Sequence, residues 1–202
     1  QDPAHTDRFC IDGNRLRLTG GTYGAASSTY ATEIADYSVI TANSSLGTGA
    51  YAGPQSFTVV AKNGITYQYG QTSTSRVTTP EGGVLRWMLN SVSDRDGNSY
   101  SITYEVTNYV ALPATITWGS SEQHSAVFAY VNKTDNKDMV DHYVPGVRVV
   151  SGRRLSSISI QTSDETTRKY ALEYDAGPVT GFSRLTSITE CSDAAETNCL
   201  AP

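Results

Sequence analysis

The sequence predicts an all-β fold built from antiparallel strands in successive hairpins. Three observations carry that expectation. Apolar and polar residues alternate with period two, turn-forming residues fall between the alternating runs, and the composition suits pleated, half-buried surfaces. In 202 residues there are 13 Tyr against 4 Phe and 2 Trp, alongside abundant Thr, Ser and Val.

The alternating runs are Tyr67 and Tyr69; Tyr100, Ile102 and Tyr104; Phe128 and Tyr130; and Tyr170, Leu172 and Tyr174. A two-residue period sets each group on one strand face, where cross-strand pairs contribute about 0.2–1 kcal/mol each. The opposite face is expected to stay wet. Between the runs lie Lys62-Asn63-Gly64, Pro80-Glu81-Gly82-Gly83, Asp94-Arg95-Asp96-Gly97-Asn98 and Asp175-Ala176-Gly177-Pro178, which tolerate the positive φ of tight turns. A meander of paired neighbours follows. The stretch Ala25 to Ser56 is richer in Ser, Thr, Ala and Gly, and residues 43–55 read as a long loop. A Leu/Ile strand, an Asp/Gly turn and a Tyr-rich strand recur at an irregular period, which argues against a propeller or a strict solenoid.

The length suits one domain or two tightly joined halves, and we read residues 1–202 as a single module. Fifteen Lys and Arg against 20 Asp and Glu give a net charge of −5, so no basic stripe serves nucleic acid. The basic trio Arg148, Arg153 and Arg154, just after Pro145-Gly146, reads as a solvated strand end or turn. No run approaches the length of a membrane-spanning helix. The opening Gln1-Asp2-Pro3-Ala4-His5 has neither an initiating Met nor a secretory signal, so the chain is expected to begin in mid-protein.

Candidate chemistry is sparse. Asp94, Asp96 and Asn98 occupy the first, third and fifth places of a calcium loop with Glu105 at the twelfth, and hard cations favour such oxygens. The glycine falls at the fourth place instead of the sixth and the flanks alternate like strands, so an ordinary Asp/Gly hairpin turn is the stronger reading. His5, His124 and His142 are dispersed and no Cys-x-x-Cys pair accompanies them, which leaves no zinc pattern. No Gly-x-Ser-x-Gly elbow occurs. The chain is therefore expected to have no catalytic residues, no cofactor and no enzymatic activity. Cys191 and Cys199 enclose a short polar loop, and their spacing leaves a local disulfide and two reduced thiols both open. Cys10 is expected to be a buried, inert thiol. An alternative function rests on Trp87, Trp118 and the tyrosine faces, which would stack on sugar rings in a carbohydrate-binding β-sandwich of a secreted surface protein or enzyme; burial of those rings is the discriminator.

Asp7-Arg8-Phe9-Cys10-Ile11-Asp12-Gly13 with Arg15-Leu16, Tyr67-Gln68-Tyr69-Gly70, Leu89-Asn90-Ser91-Val92-Ser93-Asp94 with Gly97-Asn98, and Ser183-Arg184-Leu185-Thr186-Ser187-Ile188-Thr189-Glu190-Cys191 occur in order over residues 7–199. This ordered set resembles the amino-terminal region shared by the Salmonella plasmid virulence protein B group and the B components of insecticidal toxin complexes. Tyr174-Asp175 followed by Arg184-Leu185-Thr186 also resembles the tyrosine-aspartate (YD) repeat of RHS proteins. Leu172 stands where that repeat has its first tyrosine, and Phe182-Ser183 intervene after Gly181, so the segment is similar to an edge member of such a repeat shell.

The resemblance implies a scaffold: a wall of a β-shell or sandwich-like sheet assembly that encapsulates a toxic effector segment and helps deliver it. It also implies secretion or display at the bacterial cell surface as part of a larger protein. Adjoining propeller and RHS-repeat domains, and other toxin-complex subunits, are the implied partners. The end at Leu200-Ala201-Pro202 is consistent with a cut just before a propeller. The ADP-ribosylating activity of some full-length relatives belongs to a different segment.

Overall fold

The computed structural model describes residues 8–120, 123–134, 138–144 and 147–200. His5, Asp7, Pro145-Gly146 and Ala201-Pro202 lie outside the described residues. The fold is all-β and antiparallel, as the alternation predicts. Among the described residues no helix is long and apolar enough to cross a membrane. The chain divides into two compact units, Gln1–Ile102 with Tyr143–Val147, and Thr103–His142 with Arg148–Pro202.

In the first unit the strands are β1 (Cys10–Ile11), β2 (Asn14–Gly20), β3 (Thr29–Thr32), β4 (Val39–Leu46), β5 (Gly53–Val60), β6 (Thr66–Tyr69), β7 (Arg76–Thr78), β8 (Val84–Trp87) and β9 (Leu89–Ser93). They run in the order β1-β2-β3-β4-β5-β6-β9, while β7 and β8 form a separate two-stranded ribbon. Strand β10 (Ser99–Thr107) pairs with β9 through Ser99, Tyr100 and Ser101. The second unit holds β11 (Val110–Trp118), β12 (His124–Asn132), β15 (Arg153–Thr162), β16 (Glu165–Ala176) and β17 (Ser183–Cys191), ordered β10-β11-β12-β15-β16-β17. A separate ribbon joins β13 (Val140–Val144) to β14 (Val147–Ser151).

Turn chemistry explains the meander. Gly64 and Gly97 sit at φ 82° and 87° in the expected β5–β6 and β9–β10 turns. Both residues are left-handed in Asp12-Gly13 (47°, 78°), Asn108-Tyr109 (51°, 62°) and Ser163-Asp164 (50°, 68°), the signature of the type I′ hairpin whose twist matches its strands. None of the three is among the turns expected from the sequence, and the last two contain no glycine to mark them.

Of residues 43–55, expected as a long loop, 43–46 and 53–55 are strand and the loop is confined to 47–52. Asn43 pairs with Ser56, Ser45 with Pro54 and Leu46 with Gly53, so the β4–β5 hairpin continues almost to its tip. Backbone pairing outweighs the turn-like composition here, and the Asn43 amide also donates to Thr58 Oγ1 at 3.0 Å. The tip needs a glycine: a Cβ on Gly47 would lie 2.4 Å from the Tyr51 carbonyl oxygen.

The first unit has an aromatic core. Phe9, Leu16, Tyr30, Ile40, Ala42, Phe57 and Val59 are buried together, with Tyr23, Tyr67, Tyr69 and Trp87 packed against them. Phe57 meets Phe9, Tyr30 and Trp87 edge-on at centroid distances of 5.4, 6.2 and 5.1 Å, the arrangement that ring quadrupoles favour. Polar atoms inside this core are matched. The Tyr30 hydroxyl accepts from Gly24 N–H and from Ser28 Oγ at 2.8 Å each, and the Tyr23 hydroxyl accepts from Phe9 N–H at 2.6 Å.

The second unit is covered differently. All ten residues of β15 are half-buried, and among the described residues of this unit only Val149, Cys191 and Asp138 are fully buried. Leu185 and Ile188 on β17 are exposed, as is Phe182 just before it. Cys191 is bonded to Cys199, closing a loop of sequence separation 8. Cys10 is exposed, contrary to the buried thiol expected. Alternation about the short β1 sends Phe9 into the core and turns the next side chain outward.

Candidate functional site

A groove of about 810 Å³ opens in the first unit. One wall is Arg8 to Asp12, carrying β1, and the other is Val84 to Met88, carrying β8. The rings of Phe9, Phe57 and Trp87 supply an apolar lining, while the exposed Arg8, Arg15 and Arg86 stand around it with, among the described residues, a single carboxylate, Asp12. Trp87 is fixed there by its indole N–H, which donates to the Pro54 carbonyl at 3.0 Å. A Cβ on Gly70 would come within 2.6 Å of the Trp87 ring, so glycine is required beneath it. The Arg8 guanidinium lies 4.8 Å from the Tyr23 ring centroid, and burial raises the Tyr23 hydroxyl above the usual tyrosine pKa. Sequence reasoning missed this groove because its walls are more than seventy positions apart.

The calcium candidates do turn work. The Asp94 carboxylate accepts from Asp96 N–H and Asn98 N–H at 2.9 Å each and from the Asn98 amide at 2.8 Å. The Asn98 side-chain bond, the largest cause, holds the Asp94 carboxyl below the ordinary carboxylate range. Glu105 pairs with Arg153 instead of joining that turn. Among the described residues, no group of three or more His, Cys, Asp or Glu is placed to hold a metal ion.

The basic trio departs from the solvated turn expected of it. Arg148 alone is exposed, making a bidentate pair with Asp141. Arg153 is half-buried, bonds the Tyr130 carbonyl at 2.8 Å and lies over the Tyr130 ring. Arg154 lies 4.9 Å over the Tyr174 ring and donates to Ser183 Oγ at 2.6 Å. Ser183 in turn binds Asp138 through both its N–H (2.8 Å) and its hydroxyl, and these bonds hold the Asp138 carboxyl low. The resembled repeat residues face each other across β16 and β17: Tyr174 pairs with Leu185 and Asp175 with Arg184, whose guanidinium makes two bonds to the carboxylate, at 3.0 and 2.6 Å.

The aromatic rings are unevenly covered. Trp87 is half-buried against the core, whereas Trp118 is exposed and stacks on His124 at 5.9 Å. His124 Nδ1 also lies 3.1 Å from Thr162 Oγ1, and His142 is exposed on β13. Tyr67 and Tyr69 pack on the first core, Tyr100 faces solvent, and Tyr104, Phe128, Tyr130, Tyr170 and Tyr174 are half-buried. Tyr130 closes its polar end by donating to the Pro113 carbonyl at 2.8 Å.

No protein-family model matches the chain, and no curated protein matches it in sequence. Solved structures do match its fold. The N-terminal domain of effector protein SpvB from Salmonella typhimurium strain LT2 aligns with a TM-score of 0.73 at 13% identity, over 95% of this chain and 83% of that one. The TcdB2-TccC3-Cdc42 complex aligns at 0.71 with 11% identity, over 98% of this chain and 13% of the other. The Photorhabdus luminescens Tc holotoxin pore aligns at 0.72 with 11% identity, over 99% of this chain and 13% of the other. The chain therefore has the all-β fold found in the SpvB N-terminal domain and in a portion, 13% of the length, of the aligned toxin-complex chains.

Proposed function

We propose that the chain is a scaffold domain of a bacterial toxin-complex-type or RHS-type protein, serving as a wall that encloses an effector segment and carrying out no reaction of its own. The observation that carries this reading is the sheet of the second unit. Strands β12, β15, β16 and β17 are paired antiparallel in order, yet the side chains of β15 remain half-covered and β17 leaves Leu185 and Ile188 exposed. A sheet whose outermost strand exposes apolar side chains is a surface made to be covered by further protein. The fold shared with SpvB and toxin-complex chains supports the same role. So does the cross-strand pairing of Tyr174-Asp175 with Arg184-Leu185, the segment that resembles a tyrosine-aspartate repeat.

In this reading the domain acts outside the bacterial cell or on its surface, within a larger polypeptide. Its partners are adjoining propeller and repeat domains and other toxin-complex subunits, and it uses no metal and no cofactor. The test is to delete this region from the parent polypeptide and follow limited proteolysis of the enclosed segment. Loss of protection is expected; an unchanged cleavage pattern would refute the wall.

A further inference from the structure

We propose that the groove of the first unit seats an extended peptide strand in which apolar side chains alternate with acidic ones. This goes beyond the scaffold reading and does not depend on it. Three features of the groove select that occupant.

The first is its open backbone. Among the described residues, β1 ends the strand order of its unit and β8 is strand-paired with β7 alone, so each wall presents an outer strand edge. On β1 the unpaired groups can be identified. Ile11 and Asn14 flank the Asp12-Gly13 turn, and Leu16 N–H donates to the Phe9 carbonyl at 2.8 Å. In an antiparallel ladder hydrogen-bonded and non-bonded pairs alternate, so Cys10, opposite Arg15, points its N–H and C=O away from β2. Addition of a strand satisfies such an edge.

The second is the lining. Phe9, Phe57 and Trp87 offer rings to one face of an entering strand, and period-two alternation delivers every second side chain to that face. The third is charge. Among the described residues, Arg8, Arg15 and Arg86 outnumber Asp12 at the groove, in a chain whose net charge is −5. The outward face of the strand thus meets cations, which selects carboxylates over lysines.

The full chain would be titrated by fluorescence anisotropy with labelled Glu-Val-Glu-Phe-Glu-Val-Glu and with its Lys-for-Glu counterpart. Cys10, exposed and outside the disulfide, provides a second readout through its rate of alkylation by a maleimide. The acidic peptide is expected to bind at least about tenfold more tightly than the basic one and, at saturation, to slow Cys10 alkylation several-fold. The double variant Arg15→Glu, Arg86→Glu, altered only at exposed positions, is expected to lose about tenfold in affinity with an unchanged unfolding midpoint. Equal binding of the two peptides, or undiminished alkylation at saturation, would overturn the proposal. So would acidic-peptide binding that appears only after residues 1–7 are removed, since the chain's own terminus would then be the occupant. Because cargo protection is not read in these assays, the scaffold reading and this one fail separately.

Discussion

Truncating Phe57 to alanine should strongly destabilise the first unit. Phe57 is 6% exposed and makes edge-on contacts with three rings, Phe9, Tyr30 and Trp87. Phenylalanine-to-alanine changes in a packed core remove about 3–5 kcal/mol through lost transfer energy and the cavity left behind. The upper half of that range is expected here, because each aromatic pair adds about 0.5–1.5 kcal/mol beyond its buried area. With a urea dependence near 2 kcal/mol/M, the midpoint should fall by about 2 M. Of the 2 tryptophans, Trp87 touches the altered site, so a Trp118→Phe background makes its fluorescence the sole reporter. Tyr100→Ala, at a ring that faces solvent, is the control and should change stability by less than about 1 kcal/mol. A Phe57→Ala loss below about 1 kcal/mol would refute the view that these rings are structural.

Three further outcomes follow from named contacts. Replacing Cys191 and Cys199 by alanine opens a loop of sequence separation 8 and should remove about 2–3 kcal/mol; an unchanged denaturation midpoint on reduction would show that the bond contributes nothing. Asp138→Asn exchanges an acceptor for a donor facing Ser183, with an expected loss of about 1–2 kcal/mol. The native Asp138 carboxyl lies below its unfolded value, so this stability is fully present above about pH 4 and is lost as pH falls through the lower, folded pKa. The gap between wild type and variant in urea titrations should be constant from pH 5 to 8 and close in acid. Thermal unfolding should be the same in millimolar calcium and in chelator, since the Asp94 oxygens already accept three turn bonds; a calcium-dependent rise would restore a cation site at Asp94, Asp96 and Asn98.

Legibility in the sequence tracked how local the cause was. The β5–β6 and β9–β10 turns were readable because Asn63-Gly64 and Asp96-Gly97 name their own backbone angles. Asn108-Tyr109 and Ser163-Asp164 are left-handed at both residues without a glycine, at positions set by the register of long strands. Residues 43–55 read as loop because Ser, Thr, Ala and Gly make up most of them, but the β4–β5 pairing makes 43–46 and 53–55 strand. Arg153 and Arg154 looked solvated beside Pro145-Gly146, and their partners Glu105 and Ser183 lie 48 and 29 positions away. The groove was illegible for the same reason. Its rings and arginines converge only after β1 and β8 are placed.

Side-chain footprinting by hydroxyl radicals tests the wall most directly, because it reads coverage residue by residue. Phe182, Leu185 and Ile188 are 55%, 45% and 54% exposed in this chain. Comparing the isolated chain with the intact parent polypeptide, the account predicts several-fold protection of all three in the parent. Equal labelling in both would mean that nothing covers β17, and would contradict it.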